Sequence, residues 1–585
     1  MIKKKYALVA LIPYLKRYRY KLALGFLMVI CTVAASMLSP WVLKYVVDGL
    51  TKGIVSKKLL KYASYLLGIS VVEGFFRFWM RRILIGVSRY IEYDLRNDFL
   101  AHVQDMSLSF LQTRSTGDIM SRATNDLNAV RSVLGPGIMY SMNTIVQVVI
   151  VTTILLKLNW KLTLLTYISL ALASLTVKKF GGQIHDRFEE IQEQFSNLST
   201  KAQENIAGIR VVKAFAREES EIGEFSRINL DYVQRNVALI RLWGIFYPLM
   251  TALIGMSSVA LLWFGGYQVI QGHLTLGEFV EFMLYLAMLT WPTIAVGWVI
   301  NIFQRGSASM GRILEIMDAR QDIQDEPGAC MPVQVQGALE FRNLTFQYLG
   351  ARNPVLHNIS VTVPAGATLA IVGHTGSGKS TLVNLIPRLF DPPPGTVFVD
   401  GQDVHLWPLS ELRKNIGYVP QETFLFSETI RENIAFGNHS EMKDAEVEWA
   451  AHVSQIAQDI EGFSHKMETY VGERGITLSG GQKQRVAISR AVATLPKILI
   501  FDDSLSNVDT YTEERILAEL TKIMKDRTTI LVSHRISTVK AADMIIVLKE
   551  GEMVEYGNHE SLMALQGVYS ELYQKQLLEE ELAVI

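Results

Sequence analysis

Cysteine is nearly absent from this 585-residue chain: Cys31 lies in an apolar run and Cys330 far away in a polar stretch. That excludes a disulfide framework. Charge is scarce too, at 19% of residues, where a soluble protein carries about a quarter. The 57 basic and 57 acidic residues balance, so no bias towards polyanions exists and nucleic acid is excluded as a partner. The basic start at Met1-Ile2-Lys3-Lys4-Lys5 is not followed by a short apolar core and a small-residue cleavage site. No signal peptide is expected. What replaces charge is apolar residues, 49% of the chain, over a length that calls for more than one domain.

The apolar residues are concentrated in the first half. A bilayer-crossing helix needs roughly 17–25 of them. Segments 22–43, 137–156, 242–270 and 282–303 are uncharged, 62–80 carries only Glu73 and Arg77, and 162–177 is slightly short but flanked by Lys161 and Lys178-Lys179. These predict six spans, with kinks at Pro40, Pro248 and Pro292 of the kind bilayer helices tolerate. A soluble helical core is the rival reading, and uncharged runs of this length argue against it. Connectors 44–61, 157–161 and 271–277 are short, whereas 81–136 and 178–241 are long and polar. An even number of spans puts both chain ends on one side. Arg81, Arg82, Arg89, Arg96, Lys178, Lys179, Arg210 and Lys213 mark that side as inner, although Lys52, Lys57 and Lys58 occupy the first outer loop. Glu73 and Arg77 stand four apart, acid first, the favourable order for a helical ion pair; mutual neutralisation is expected there, with Arg77 reaching towards the inner face. Met28, Met37, Met250, Met256, Met283, Met288, Trp291 and Trp298 are scattered over the spans; pliable methionines and aromatics suit a promiscuous apolar cavity, but with no faces known the expectation is ordinary lipid-facing residues.

The second half carries motifs. Gly373-His374-Thr375-Gly376-Ser377-Gly378-Lys379-Ser380-Thr381 fits the phosphate-loop pattern G-x-x-x-x-G-K-[ST]. Its glycines let backbone N–H groups close around phosphates, Lys379 reaches the β/γ-phosphates, and Ser380 can ligand Mg²⁺. Ala367 to Val372 reads as the buried strand feeding that loop, and the helix from Lys379 would point its positive end at the phosphates. A hydrophobic strand, Ile498-Leu499-Ile500-Phe501, ends in Asp502, a second Mg²⁺ carboxylate candidate. Between them lies Leu478-Ser479-Gly480-Gly481-Gln482.

On these three motifs and their order the chain resembles the ATP-binding-cassette (ABC) ATPases, and with the six spans it resembles exporter-type half-transporters of that superfamily, similar to bacterial multidrug exporters. The resemblance implies an α-helical six-span transmembrane domain with long cytoplasmic helical extensions, fused to an α/β P-loop ATPase. The boundaries expected are 1–311 for the membrane domain, 312–335 for a linker and 336–585 for the nucleotide-binding domain. It implies that Tyr348 stacks on adenine, that Gln421 touches Mg²⁺ and the attacking water, and that His534 contacts the γ-phosphate. Ser506-Asn507-Val508-Asp509 stands at the D-loop position, and Thr469 to Gly475 at the cross-link loop. It further implies two chains with two composite sites, each joining one phosphate loop to the other chain's Ser479, Gly480, Gly481 and Gln482. ATP puts the ATPase side in the cytosol and the spans in the cytoplasmic membrane. The segments Thr116 to Arg122 and Glu204 to Phe215 resemble those beside the family's coupling helices; Phe110 and Phe215 either make apolar contacts there or pack within their own bundle.

One position departs from the pattern. Asp503 stands where the family has a catalytic glutamate. Its carboxylate is withdrawn by about 1.5 Å, and a base must lie within hydrogen-bond reach of the water. This resembles the degenerate-site subunit of a heterodimeric exporter of a hydrophobic or amphipathic compound. A homodimeric lipid flippase, and a channel or regulator gated by ATP, are the alternatives.

Overall fold

The apolar runs become long helices. The computed structural model describes residues 3–332, 334–438, 442–505, 508, 510–533, 535 and 539–584. Two units emerge: Met1–Gln104 with Thr116–Ala319, and Asp105–Ser115 with Arg320–Ile585.

The first unit is helical. Its main elements are α1 (Arg19–Thr51) and α2 (Ser56–Gln104), then, beyond the segment given to the second unit, α4 (Ile138–Ala207), α5 (Ile209–Ala214), α6 (Glu218–Ala260), α7 (Leu276–Met288) and α8 (Thr290–Met317); α3 (Leu108–Gln112) lies in that other segment. Among the described residues five helical stretches are long and apolar enough to cross a membrane, against six spans expected. The difference lies in α4, which contains residues 138–156 of one expected span and all of 162–177. Asn159 breaks its helical geometry (φ −160°, ψ 101°), and its side-chain carbonyl accepts the Leu162 N–H at 3.1 Å. The Thr152 and Tyr167 hydroxyls meet at 2.5 Å, although fifteen residues of straight helix would separate them by about 22 Å. The chain therefore reverses at Asn159, and α4 is two antiparallel arms.

At the outer end α1 is tied to α7. Asp48 accepts from the Thr275 hydroxyl at 2.9 Å and from the Gly277 N–H at 2.8 Å, while Lys44 donates to Glu278 at 3.1 Å. A Cβ on Gly277 would stand 2.3 Å from the Lys44 carbonyl oxygen, so only glycine permits this approach. At the other end α8 runs past the expected boundary to Met317. Ile313 and Ile316 are fully buried, and Arg312 is held by Asp126.

In the second unit a six-stranded sheet has the order β10-β9-β3-β8-β7-β6, with a four-stranded antiparallel sheet β2-β1-β4-β5 beside it. The strands are β1 (Leu339–Phe346), β2 (Leu356–Val363), β3 (Thr368–Gly373), β4 (Val397–Val399), β5 (Gln402–Asp403), β6 (Ile416–Val419), β7 (Ile498–Asp502), β8 (Thr528–Val532), β9 (Met544–Lys549) and β10 (Glu552–Gly557). β3, β6, β7, β8 and β9 are parallel neighbours, and β10 closes an edge antiparallel. β3, β7 and β8 are buried along their whole length, as continuous apolar runs in a two-sided parallel sheet require. Between these strands come α9 (Lys379–Leu385) and α10 (Gly480–Ala493).

The segment Asp105–Ser115 folds with this unit. Leu108 packs against the sheet core, Ser107 donates to Asp322 at 3.3 Å, and Gln321 donates to Asp105 at 3.1 Å. Phe110 lies 3.9 Å beneath the Arg114 guanidinium, whereas Phe215, at the end of α5, is 73% exposed. Behind α9, His405 sits between Asp403 (2.7 Å) and Asp391 (3.4 Å), and the buried Arg388 also pairs with Asp391 at 2.8 Å.

Candidate nucleotide site and membrane cavity

In a parallel sheet, ligands bind beyond the carboxyl ends of the strands, and here those ends gather the expected residues. β3 runs into Gly373, β7 ends at Asp502, β6 ends two residues before Gln421, and β8 ends at Val532. His534 lies outside the described residues, as do Ser506, Asn507 and Asp509. Its neighbours are placed: the Ser533 hydroxyl accepts the Arg535 N–H at 2.9 Å, and Arg535 is paired with Glu513. Val508 is buried in the core.

The loop after β3 needs glycine for two reasons. Gly378 enters α9 with φ +97°, a left-handed value that costs other residues strain. A Cβ on Gly373 would meet the Leu548 carbonyl oxygen at 2.2 Å. His374, Thr375 and Gly376 form the exposed tip, and Ser377 is buried. Lys379 is buried and folds back to donate to the carbonyls of Gly373 and His374, each at 2.9 Å. Burial pushes its pKa down, against the opposing pull of Asp503 and Asp502. Ser380 donates to Asp502 at 3.1 Å. Burial raises the Asp502 pKa and Asp503 adds to that, while Ser380 and Lys379 work the other way. Tyr348 is half-buried against Phe390, with ring centroids 5.0 Å apart, and its hydroxyl meets that of Thr381 at 2.9 Å. Asp503 is half-buried beside Asp502 with φ +47°. Gln421 is exposed.

These residues suit a magnesium nucleotide. The Ser377 hydroxyl is buried with no partner, an acceptor and donor left over for a ligand. The glycine cradle bares backbone N–H groups, and Lys379 has only carbonyls to bond. Ser380 and Asp502 form a hydroxyl–carboxylate pair of the kind that holds Mg²⁺ together with phosphate oxygens. No cluster of three or more His, Cys, Asp or Glu occurs among the described residues.

Ser479 caps α10: its side chain accepts the Gln482 N–H at 3.3 Å and its own N–H donates to the Gln482 side chain at 2.9 Å. Asp459 accepts from both Gln482 (2.8 Å) and Arg485 (2.7 Å) and fixes the start of the helix. Asp459 carries no signal in the sequence, because a carboxylate twenty residues ahead of the motif fits no local pattern. Ser479 and Gly480 are exposed, Gly481 and Gln482 half-exposed, and no hydrogen bond or ion pair among the described residues joins them to the loop 373–381.

The membrane unit contains a cavity of about 710 Å³, within the size of small-molecule sites. Glu73 and Arg77 pair as the spacing predicts, but both also line this cavity, as do Met288 and Trp291. That corrects the lipid-facing reading of the last two. Ser36, Ser39, Asn143 and Gln147 line it too. Asn143 and Gln147, four apart in an uncharged span, carry the sequence signal of this polar face.

A helical membrane unit preceding a sheet-borne phosphate loop, an Asp502 strand and an LSGGQ cap defines an ATP-driven membrane transporter. The chain belongs to the ABC transporter family, in its exporter arrangement. Residues 22–293 match the family model for the ABC transporter transmembrane region and 356–506 the one described as ABC transporter. It is 35% identical over 568 residues, 97% of each chain, to the "Probable multidrug resistance ABC transporter ATP-binding/permease protein YheI" of Bacillus subtilis (strain 168). It is 35% identical, over 88% of this chain and 85% of the other, to an ATP-dependent lipid A-core flippase of Syntrophus aciditrophicus (strain SB). Among solved structures it is similar to a bacterial Atm1-family ABC exporter with ATP bound, at a TM-score of 0.79 and 29% identity over 96% of this chain and 98% of that one.

Proposed function

We propose that this protein exports a hydrophobic or amphipathic compound across the cytoplasmic membrane, driven by ATP, as one half of a dimer whose other half is a different ABC half-transporter. The observation that carries the reading is the separation of the two halves of the nucleotide site. Gly373 to Thr381 and Asp502 converge at the carboxyl ends of the parallel strands, while Ser479 to Gln482 present an exposed helix N-terminus bonded to none of them. A second chain completes the site.

In this reading Tyr348 offers its ring to adenine, and Gly373 to Gly378 hold the phosphates with backbone N–H groups. Lys379 leaves its two carbonyls for the β/γ-phosphates. Ser380, Gln421 and Asp502 would hold Mg²⁺, which supplies charge neutralisation on the phosphate oxygens. Asp503 takes the water proton, and Gln421 and His534 position the water and the γ-phosphate. Because Asp503 is one methylene shorter than glutamate, its site turns over slowly and the partner's site carries most of the hydrolysis.

The experiment is ATP-dependent uptake of lipophilic dyes into inverted membrane vesicles holding this chain alone or with a candidate partner. Uptake that needs the partner and is lost on Lys379→Ala supports the reading. Equal, vigorous uptake and hydrolysis by the chain alone would instead support a homodimer, and ATP binding with no uptake of any probe would support an ATP-gated regulator.

A further inference from the structure

We infer that an anionic phospholipid of the outer leaflet docks on this chain, with one acyl chain in a groove between α1 and α2 and its phosphate on the lysines above that groove. The inference stands on which side of the membrane the helices face and not on the export reading. The connector 44–61 holds five lysines against one acid, Asp48. Lys44 is held by Glu278, and Asp48 is engaged at the start of α7. Lys52, Lys57, Lys58 and Lys61 are left, all exposed and in no ion pair among the described residues. With the ATPase in the cytosol this connector is on the outer side, where membrane proteins ordinarily keep few basic residues. Lysines beside a membrane surface attract anionic lipid head groups.

Beneath three of these lysines α1 and α2 stand apart. Leu38, Trp41 and Val42 from α1 and Tyr65, Gly68 and Val72 from α2 line a groove of about 330 Å³. The Ser64 hydroxyl, also in its wall, is spent on the Lys61 carbonyl at 2.8 Å. Glycine in a membrane helix usually lets a neighbouring helix come close, but a Cβ on Gly68 would meet nothing within 4 Å. Gly68 keeps the groove open instead.

The lysines and the groove lie on one line. At 100° per residue Lys61, Tyr65, Gly68 and Val72 fall within about 60° of one another around α2, and Lys57 and Lys58 flank that line one turn further out. The Lys61 ammonium stands 5.7 Å from the centre of the Tyr65 ring, at the outer end of the groove. From Lys61 to Val72 the helix rises about 16 Å, near half of a hydrocarbon core about 30 Å thick. The groove is therefore one leaflet deep, and its charge sits at head-group level, outside the spans 22–43 and 62–80. Trp41 and Tyr45, edge to face at 5.2 Å, mark the same level, as aromatic residues do at a membrane interface. A phosphate at Lys57 and Lys61, with its chain running past Gly68 towards Val72, uses both features at once.

The test uses the assembled transporter, this chain with its partner where one is required, purified in detergent and titrated with phosphatidylglycerol or phosphatidylcholine of identical chains. Native mass spectrometry counts the lipids retained. One phosphatidylglycerol per copy of this chain is expected to bind roughly tenfold more tightly than phosphatidylcholine. Lys57→Gln combined with Lys61→Gln should abolish that preference and leave phosphatidylcholine binding as it was. Gly68→Leu, whose side chain enters open space, should weaken both lipids at an unchanged melting temperature. Lys52→Gln, at the end of α1 and off the line, should change neither. Equal affinity for the two lipids, or a preference lost as readily through Lys52→Gln as through Lys61→Gln, overturns the inference. Displacement of the lipid by tailless glycerol phosphate also overturns it, because the lysines would then hold a soluble anion. Lipid bound by this chain alone but lost on assembly overturns it as well, because the partner would then cover the groove.

Discussion

The backbone N–H of Asp503 donates to the carbonyl of Val532 at 2.9 Å, so the residue in the catalytic-base position is stitched to the end of β8, just ahead of His534. Asp503 is held at φ +47°, a region that aspartate enters more readily than most residues. The bond fixes where its short side chain starts.

Asp503→Glu extends the carboxylate by one methylene from that fixed point. Turnover at this site should rise by roughly tenfold or more if base placement limits the rate, because a misplacement of about 1 Å can cost about 10²-fold. Asp503→Asn should change little in a heterodimer and nearly stop a homodimer. Steady-state ATPase assays of both variants, alone and with the partner, decide it. Arrest by Asp503→Asn in the complex, with no gain from Asp503→Glu, would show a competent base.

Lys379→Ala removes the buried ammonium that now bonds the Gly373 and His374 carbonyls. Photolabelling of this chain with an azido-ATP analogue should fall to background. Gly373→Ala should do the same by a different route, because its Cβ collides with Leu548. Labelling undiminished in both would overturn the placement of the phosphates.

Ser479→Arg puts a bulky cation at the exposed cap of α10. It should silence hydrolysis at the partner's phosphate loop while azido-ATP labelling of this chain persists. Loss of labelling here, with the partner's hydrolysis spared, would mean the motif serves its own chain.

His405 makes stability depend on pH. Its pKa is raised, first by the hydrogen bond with Asp391 and then by Asp403, against burial. A raised pKa means the stabilisation is full below the unfolded value near 6.5 and fades as pH rises through the folded value. Burial would raise the Asp391 pKa, but bonds from His405 and Arg388 bring it below the usual range; that contribution fades only in acid. Charged hydrogen bonds are worth on the order of 1.5–3 kcal/mol. His405→Gln should therefore lower the melting temperature of the full chain more at pH 6 than at pH 9. An equal loss at both would show that the imidazole acts uncharged.

The nucleotide loop was legible because its chemistry is local: Gly373, Gly378, Lys379 and Ser380 act within eight residues, and their spacing is their geometry. The spans were legible for a similar reason, since bilayer thickness sets a run length. Faces were not. Met288 and Trp291 look like any lipid-facing residues until α1, α2 and α4 are set around them. The partner of Gln482 was hidden too, because Asp459 is brought to it by packing and not by spacing. Asn159 shows the intermediate case. The short charged connector 157–161 announced a reversal, but the cap from its side chain to Leu162 is visible only in the fold.

Asp48 and Lys44 each reach across to the start of α7, and Gly277 removes the side chain that would hold the two helices apart. Two residues of one helix and three at the start of the other are thereby riveted into a single strut. Widening the outer mouth of this half by parting α1 from α7 has to break these bonds together, so the strut holds that seam shut against opening to the outside.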